Sequence, residues 1–260
     1  MNMPLVLSIL FGLSLVGAGA LASAVVSLRK KCTVLGRRVE QSAQELERMQ
    51  RSFARFAPAE LVEKIISDGM LASGEKRDAT VMFADIRDFT RISETLDPAV
   101  VIDMLNGYFR DVSEVIQSHH GHITRVMGDG IMIVFGVLER NPWHVQDAVE
   151  AAIGMREALA RYNVTLRTRG LPELSFGIGI HSGIVVAGLV GSDELLEFTV
   201  MGDVVNIASR VEALTRRFES DILVTEEVKN RVGDRFSMSE MPSTPIKGKT
   251  RPIVTWAIHS

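Results

Sequence analysis

Two aspartates stand where runs of apolar and β-branched residues stop. Ala79-Thr80-Val81-Met82-Phe83-Ala84 leads into Asp85, and His122-Ile123-Thr124-Arg125-Val126-Met127 leads through Gly128 into Asp129-Gly130. Runs of this composition read as buried strands, so both carboxylates belong at the ends of core strands. An uncompensated carboxylate is costly to bury there. Two carboxylates converging on hard divalent cations, with phosphate completing the coordination, is a common way of holding Mg²⁺. Taken singly, each aspartate has an ordinary explanation: Asp-Gly is a strong hairpin signal, and Asp85 precedes a helical stretch that it could cap.

A third stretch shifts the balance. In Phe198-Thr199-Val200-Met201-Gly202-Asp203-Val204-Val205-Asn206-Ile207-Ala208-Ser209-Arg210, a glycine ends a short strand and a helix begins. Asn206 and Arg210 are four apart, so they share one helical face. An amide and a guanidinium side by side near a helix start suit an anionic ligand.

The order, wording and spacing of the three segments resemble the catalytic domain of class III nucleotidyl cyclases, the adenylyl and guanylyl cyclases, over about residues 74–260. That resemblance implies a ferredoxin-like βαββαβ core working as a head-to-tail homodimer, with active sites between subunits. It also implies two divalent ions, Mg²⁺ or Mn²⁺, held by Asp85, Asp129 and the Ile86 carbonyl. The backbone N–H groups from Arg87 to Thr90, including those of Phe89 and Thr90, would cradle phosphate oxygens. Asn206 and Arg210 of the partner subunit would orient the ribose and stabilise charge on phosphorus, and Lys247 would meet the terminal phosphates.

Base selection departs from the family pattern. Where adenylyl cyclases usually carry a lysine and an aspartate or threonine, this chain has Arg125 and Thr199. Arginine can only donate and a hydroxyl can accept, a pair that satisfies adenine. ATP is therefore the expected substrate. A guanylyl cyclase and a cyclase-like regulatory nucleotide-binding module are the alternatives. Asp88, where the family commonly has glycine, adds negative charge beside the expected phosphates.

These residues need a scaffold to position them. Alternating helices and strands indicate an α/β (α+β) domain with a mixed sheet over residues 76–260. Helix is expected from about residue 90 to 119, broken near Asp97-Pro98, and again from Asn141-Pro142 to about residue 167. Strands are expected at 122–127, 130–136, 173–180 and 184–189, the last two joined by a turn at His181-Ser182-Gly183. The helix after Gly202 should run to about residue 218, followed by a strand at 221–225, a small helix and closing strands at 235–240 and 252–258. Gly177-Ile178-Gly179 lies inside a strand with no helix behind it, so close packing explains it better than a dinucleotide loop. His119, His120 and His122 sit at a helix end, where cationic side chains suit the dipole, and lack a metal-ligand spacing.

Upstream, the composition changes. The chain has 260 residues, 46% of them apolar, and a formal net charge of −3, which gives no argument for nucleic acid. Residues 4–28 carry no charged side chain, long enough for one membrane-spanning helix. Arg29, Lys30, Lys31, Arg37 and Arg38 follow, a bias that places the C-terminal bulk in the cytoplasm beneath an inner or plasma membrane. A cleaved signal peptide fits less well, because the apolar run is too long and a basic leader is missing. Ser14, Ala18 and Ala22 form a small-residue stripe of the kind that lets two such helices approach. Leu35, Val39, Leu46, Met49, Phe53 and Phe56 then fall at heptad spacing, indicating a short coiled coil over 29–57 or a helix docked on its own domain. Pro58 ends it, and residues 58–75 read as a linker helix. Cys32 is the single cysteine, so no disulfide framework exists. Its juxtamembrane place would permit palmitoylation.

Overall fold

The computed structural model describes residues 74–192 and 195–259, together with three helical residues further upstream, Gly36, Arg37 and Glu40. The uncharged run at 4–28, most of the heptad segment and the linker up to residue 73 lie outside the described residues. Among those described, no helix is long and apolar enough to cross a membrane.

The first strand, β1 (Glu75–Ile86), begins at what was expected to be the last linker position. Two helices follow, α1 (Phe89–Thr95) and α2 (Pro98–Ser118), then β2 (Gly121–Met127), β3 (Gly130–Phe135), α3 (His144–Thr168) and β4 (Phe176–Ser192). Asp97 explains the break between α1 and α2: its side chain caps the Ala99 N–H, and Pro98 opens the helix where its missing donor costs nothing. The remaining elements are β5 (Leu195–Met201), α4 (Asp203–Arg217), β6 (Ile222–Thr225), α5 (Glu226–Val232), β7 (Met238–Glu240) and β8 (Thr255–Ile258).

The strands form one eight-stranded sheet in the order β2-β3-β1-β4-β6-β8-β7, with β5 paired to β4. Neighbours are antiparallel except β4 and β6. The first four strands and the helices between them make the expected βαββαβ unit, and the sheet as a whole is mixed.

Register decides which side chains meet. Even-numbered positions of β1 (Met82, Ala84, Ile86) join Ile178 and Ile180 of β4 in the main core, with Met104, Tyr108, Val112 and Ile116 of α2 and the inner stripe of α3. Odd-numbered positions point to the other face, where α4 packs. There the two glycines of β4 matter. A Cβ on Gly179 would stand 2.6 Å from the Ala208 carbonyl oxygen and the Glu212 Cα, and one on Gly177 would stand 2.8 Å from Glu212 Oε1. Their bareness lets α4 lie directly on the strand, as the close-packing reading expects.

One expectation is corrected. His181-Ser182-Gly183 is not a turn: β4 runs unbroken through it, paired residue by residue with Val81, Thr80 and Ala79. Thr80 Oγ1 donates to Ser182 Oγ, which in turn donates to the Ala79 carbonyl, and His181 Nδ1 meets Thr225 Oγ1 at 2.8 Å. The long template of β1 overrides the local turn signal. The reversal falls instead between β4 and β5.

Candidate active site

Asp85 is the last odd-numbered residue of β1, on the α4 face, opposite Gly177. Ala84 pairs with Ile131, so the next position along brings Asp85 level with Gly130, just past the turn that carries Asp129. A Cβ on Gly130 would lie 2.8 Å from Asp85 Oδ1. Glycine thus leaves room for one aspartate to enter the turn that holds the other. Both carboxylates are half-buried, and among the described residues neither has a hydrogen-bond or ion-pair partner. Burial raises the Asp85 pKa, the Asp129 charge raises it further, and Arg216 pulls the other way. A pair of acids that repel each other in a half-buried corner is deficient in positive charge, and its oxygen-only donor set suits a hard divalent cation. Among the described residues no group of three or more His, Cys, Asp or Glu forms a fuller cage.

The segment after Asp85 differs in detail from expectation. The Arg87 N–H donates to the Ser175 carbonyl at 2.8 Å, so it is spent on the fold and cannot meet a phosphate. The Arg87 side chain points away as well, donating to the carbonyls of Thr215 and Ser220. Phe89 packs its ring against the main core, which leaves only its backbone N–H for a ligand. Thr90 is exposed, at the open start of α1. Asp88, just before it, has φ of 55°, a left-handed conformation that glycine adopts without strain and aspartate tolerates. That backbone is the physical reason for a glycine preference here.

Asn206 and Arg210 lie on the outward face of α4, whose inward face buries Val204, Ile207, Ala208 and Val211. Neither has a hydrogen-bond partner among the described residues. The turn carrying Lys247 closes over this face: a Cβ on Gly248 would come within 3.3 Å of Arg210 Nη1. Lys249 pairs with Asp203 in the first turn of α4 and pins that loop. Lys247 is exposed beside it. The structure therefore brings Lys247, Arg210 and Asn206 to one surface.

It does not bring that surface onto the aspartate corner of the same chain. Val204 packs over Gly183, which is level with Ala79, and Thr215 over Gly177, which is level with Asp85. Asn206 is thus about four strand positions short of Asp85, roughly 13 Å at ~3.3 Å per residue. The two halves of the candidate site stand apart in one chain.

Arg125 and Thr199 were expected to meet the base. Thr199 is on β5, where Phe198 and Val200 are buried and the odd-numbered residues face outward. Arg125, on the outer end of β2, is held by a residue that the sequence analysis did not single out. Its Nε and Nη2 both donate to Glu197 Oε1, at 2.9 and 2.8 Å. Glu197 is two residues before Thr199 and so on the same face of β5. Glu212, also unremarked in the sequence, sits on α4 against Gly177; burial first, then the Asp85 charge, push its carboxyl up to about 7. A glutamate two residues after Arg210 on a helix looks like surface decoration until the bare strand beneath it is known. The histidines near residue 120 take separate roles. His119 Nδ1 meets the Val115 carbonyl at the end of α2, and His120 faces Asp147 at 3.3 Å.

Comparison with known proteins adds an independent line. The model of the adenylate and guanylate cyclase catalytic domain matches residues 71–260. Adenylate cyclase 1 of Rhizobium meliloti is 35% identical over 201 residues, covering 76% of this chain and 30% of that protein. An adenylate cyclase of Anabaena cylindrica is 33% identical over 253 residues, covering 93% and 48% respectively. The chain thus spans less than half the length of these two relatives. Among solved structures, the guanylyl cyclase Cya2 is 33% identical with a TM-score of 0.67, covering 71% of this chain and 93% of that one. The adenylyl cyclase CyaB from P. aeruginosa is 28% identical with a TM-score of 0.68, covering 72% and 96%.

Proposed function

The chain belongs to the adenylate and guanylate cyclase catalytic domain family, and on that premise we propose that it is an adenylyl cyclase, converting ATP to 3′,5′-cyclic AMP and pyrophosphate at sites shared by two copies. The observation that carries this reading is the corner at Gly130, where Asp85 and Asp129 leave half-buried negative charge unmatched. The names of the Rhizobium and Anabaena relatives support ATP as substrate.

Two divalent ions, Mg²⁺ or Mn²⁺, held by Asp85, Asp129 and the Ile86 carbonyl would lower the pKa of the ribose 3′-hydroxyl and neutralise the triphosphate. The chain's own residues do the rest. The N–H groups of Phe89 and Thr90, at the open start of α1, face phosphate oxygens. Asn206 of the second copy orients the ribose. Its Arg210 lies against the charge that builds up as the 3′ oxygen bonds to the α-phosphorus and pyrophosphate leaves, and a preorganised donor of this kind contributes about 3 kcal/mol. Lys247, on the same surface, neutralises the terminal phosphates. Arg125 donates to adenine N1, and the Thr199 hydroxyl accepts from the N6 amine.

The separation of the two half-sites within one chain supports the homodimer. So does the apolar surface left open on β2, β4 and β5: Val126, Met127, Ile184, Val190 and Met201 are all exposed. For the upstream residues, the uncharged run at 4–28 and the basic cluster after it support a single-pass anchor in the inner or plasma membrane, with a short coiled coil at 29–57 and the catalytic domain in the cytoplasm.

The test is turnover of ATP by the purified chain with Mg²⁺ or Mn²⁺. Asp85→Ala and Asp129→Ala should each bring cyclic AMP formation to background while circular dichroism stays native. Turnover persisting in both variants would remove the metal assignment.

A further inference from the structure

The Arg125–Glu197 pair alters what the base-reading surface can recognise. An isolated guanidinium offers donors only. Here two of its N–H groups, from Nε and Nη2, are committed to a single oxygen, Glu197 Oε1. Glu197 Oε2 remains an open acceptor, and Arg125 Nη1 an open donor. Both side chains are about half exposed, at 44% and 49%, so the pair faces solvent and can be reached. Thr199, on the same face of β5 and two residues away, adds a hydroxyl that can donate or accept. The surface therefore displays a donor and an acceptor side by side, with an adaptable third group.

Resting on the reading of this site as a nucleotidyl cyclase, we propose that Glu197 is a specificity residue, and that the Arg125–Glu197 pair makes this chain accept GTP alongside ATP. The chemistry of the two purine edges argues for it. Adenine presents an acceptor at N1 and a donor at its N6 amine. Guanine presents an acceptor at O6 and donors at N1 and its N2 amine. Arg125 by itself meets adenine N1 or guanine O6 but leaves the guanine N1–H unmatched, and leaving a buried donor unmatched is what lets a polar site reject a base. A carboxylate fixed beside the guanidinium removes that penalty. It receives the guanine N1–H and N2 amine while Arg125 donates to O6. For adenine, the Thr199 hydroxyl still accepts from N6, so ATP is retained.

The experiment measures kcat/KM for ATP and for GTP on the full chain with Mn²⁺, for the parent, Glu197→Gln and Glu197→Ala. Glu197 is exposed on a strand edge, so neither variant disturbs packing. The parent is expected to cyclise GTP within about tenfold of ATP, the size of effect of one retained charged hydrogen bond. Glu197→Ala should lower the ratio of kcat/KM for GTP to that for ATP by at least about tenfold, with Glu197→Gln in between because its amide oxygen still accepts. An ATP/GTP ratio that is the same in all three proteins overturns the proposal while leaving the cyclase reading intact. So does a parent that makes cyclic AMP and no cyclic GMP. No cyclic nucleotide from either substrate would instead overturn both.

Discussion

Asp85 and Asp129 meet at a glycine because any side chain at Gly130 would occupy the space of the Asp85 carboxylate. Glu212 lies close to them, and its own burial first, then the Asp85 charge, act on its carboxyl. Its carboxyl rises from an ordinary 4.5 to about 7, so between those two pH values the folded chain holds a proton that the unfolded chain has lost. The contribution of Glu212 to stability must therefore fall as pH rises through that window and level off above it. Urea midpoints of the metal-free protein should show this as a difference: Glu212→Gln should gain on the parent as pH rises through the window and be the more stable protein at pH 8. Parallel pH profiles for the two proteins would contradict the placement. The placement of the two aspartates at strand ends and of Asn206 and Arg210 on one face of a helix could be read directly, because strand ends and helical spacing leave marks in sequence. Glu197 and Glu212 could not, because each acquires its role from a partner 72 residues away or from a bare strand beneath it.

At the level of elements, the site depends on how closely α4 lies on β4. Gly177 and Gly179 remove the side chains that would hold the helix off, and the helix in turn fixes where Asn206 and Arg210 project. Gly179→Ala places a methyl group 2.6 Å from the Ala208 carbonyl oxygen, so α4 must shift. The variant is expected to lose about 1–3 kcal/mol of stability, the usual cost of overpacking, and to lose catalysis more than substrate affinity. A native melting midpoint with full activity would show that the helix does not depend on this contact. The same elements mark where sequence reasoning falls short. Apolar runs located β1 and β3, whose central residues are buried on both faces, and a helical stripe located α3. The His181-Ser182-Gly183 turn signal misled because hydrogen bonds to Thr80, Ala79 and Thr225, all distant in sequence, keep the strand extended. The Arg87 N–H was unavailable for a similar reason, its acceptor being the carbonyl of Ser175.

For the whole molecule, the two half-sites of one chain do not converge, while exposed apolar residues border both of them. A symmetric pair would bring the Asp85–Asp129 corner of each copy to the Asn206–Arg210 surface of the other, giving two equivalent sites. Mixing two defective chains tests this most directly. Asp85→Ala and Arg210→Ala should each be inactive alone. Co-expressed, they form heterodimers in which one site carries both lesions and the other carries none, so about a quarter of parental cyclic AMP production should return. Mixtures as inactive as either variant alone, with dimers present, would contradict a site built from two copies.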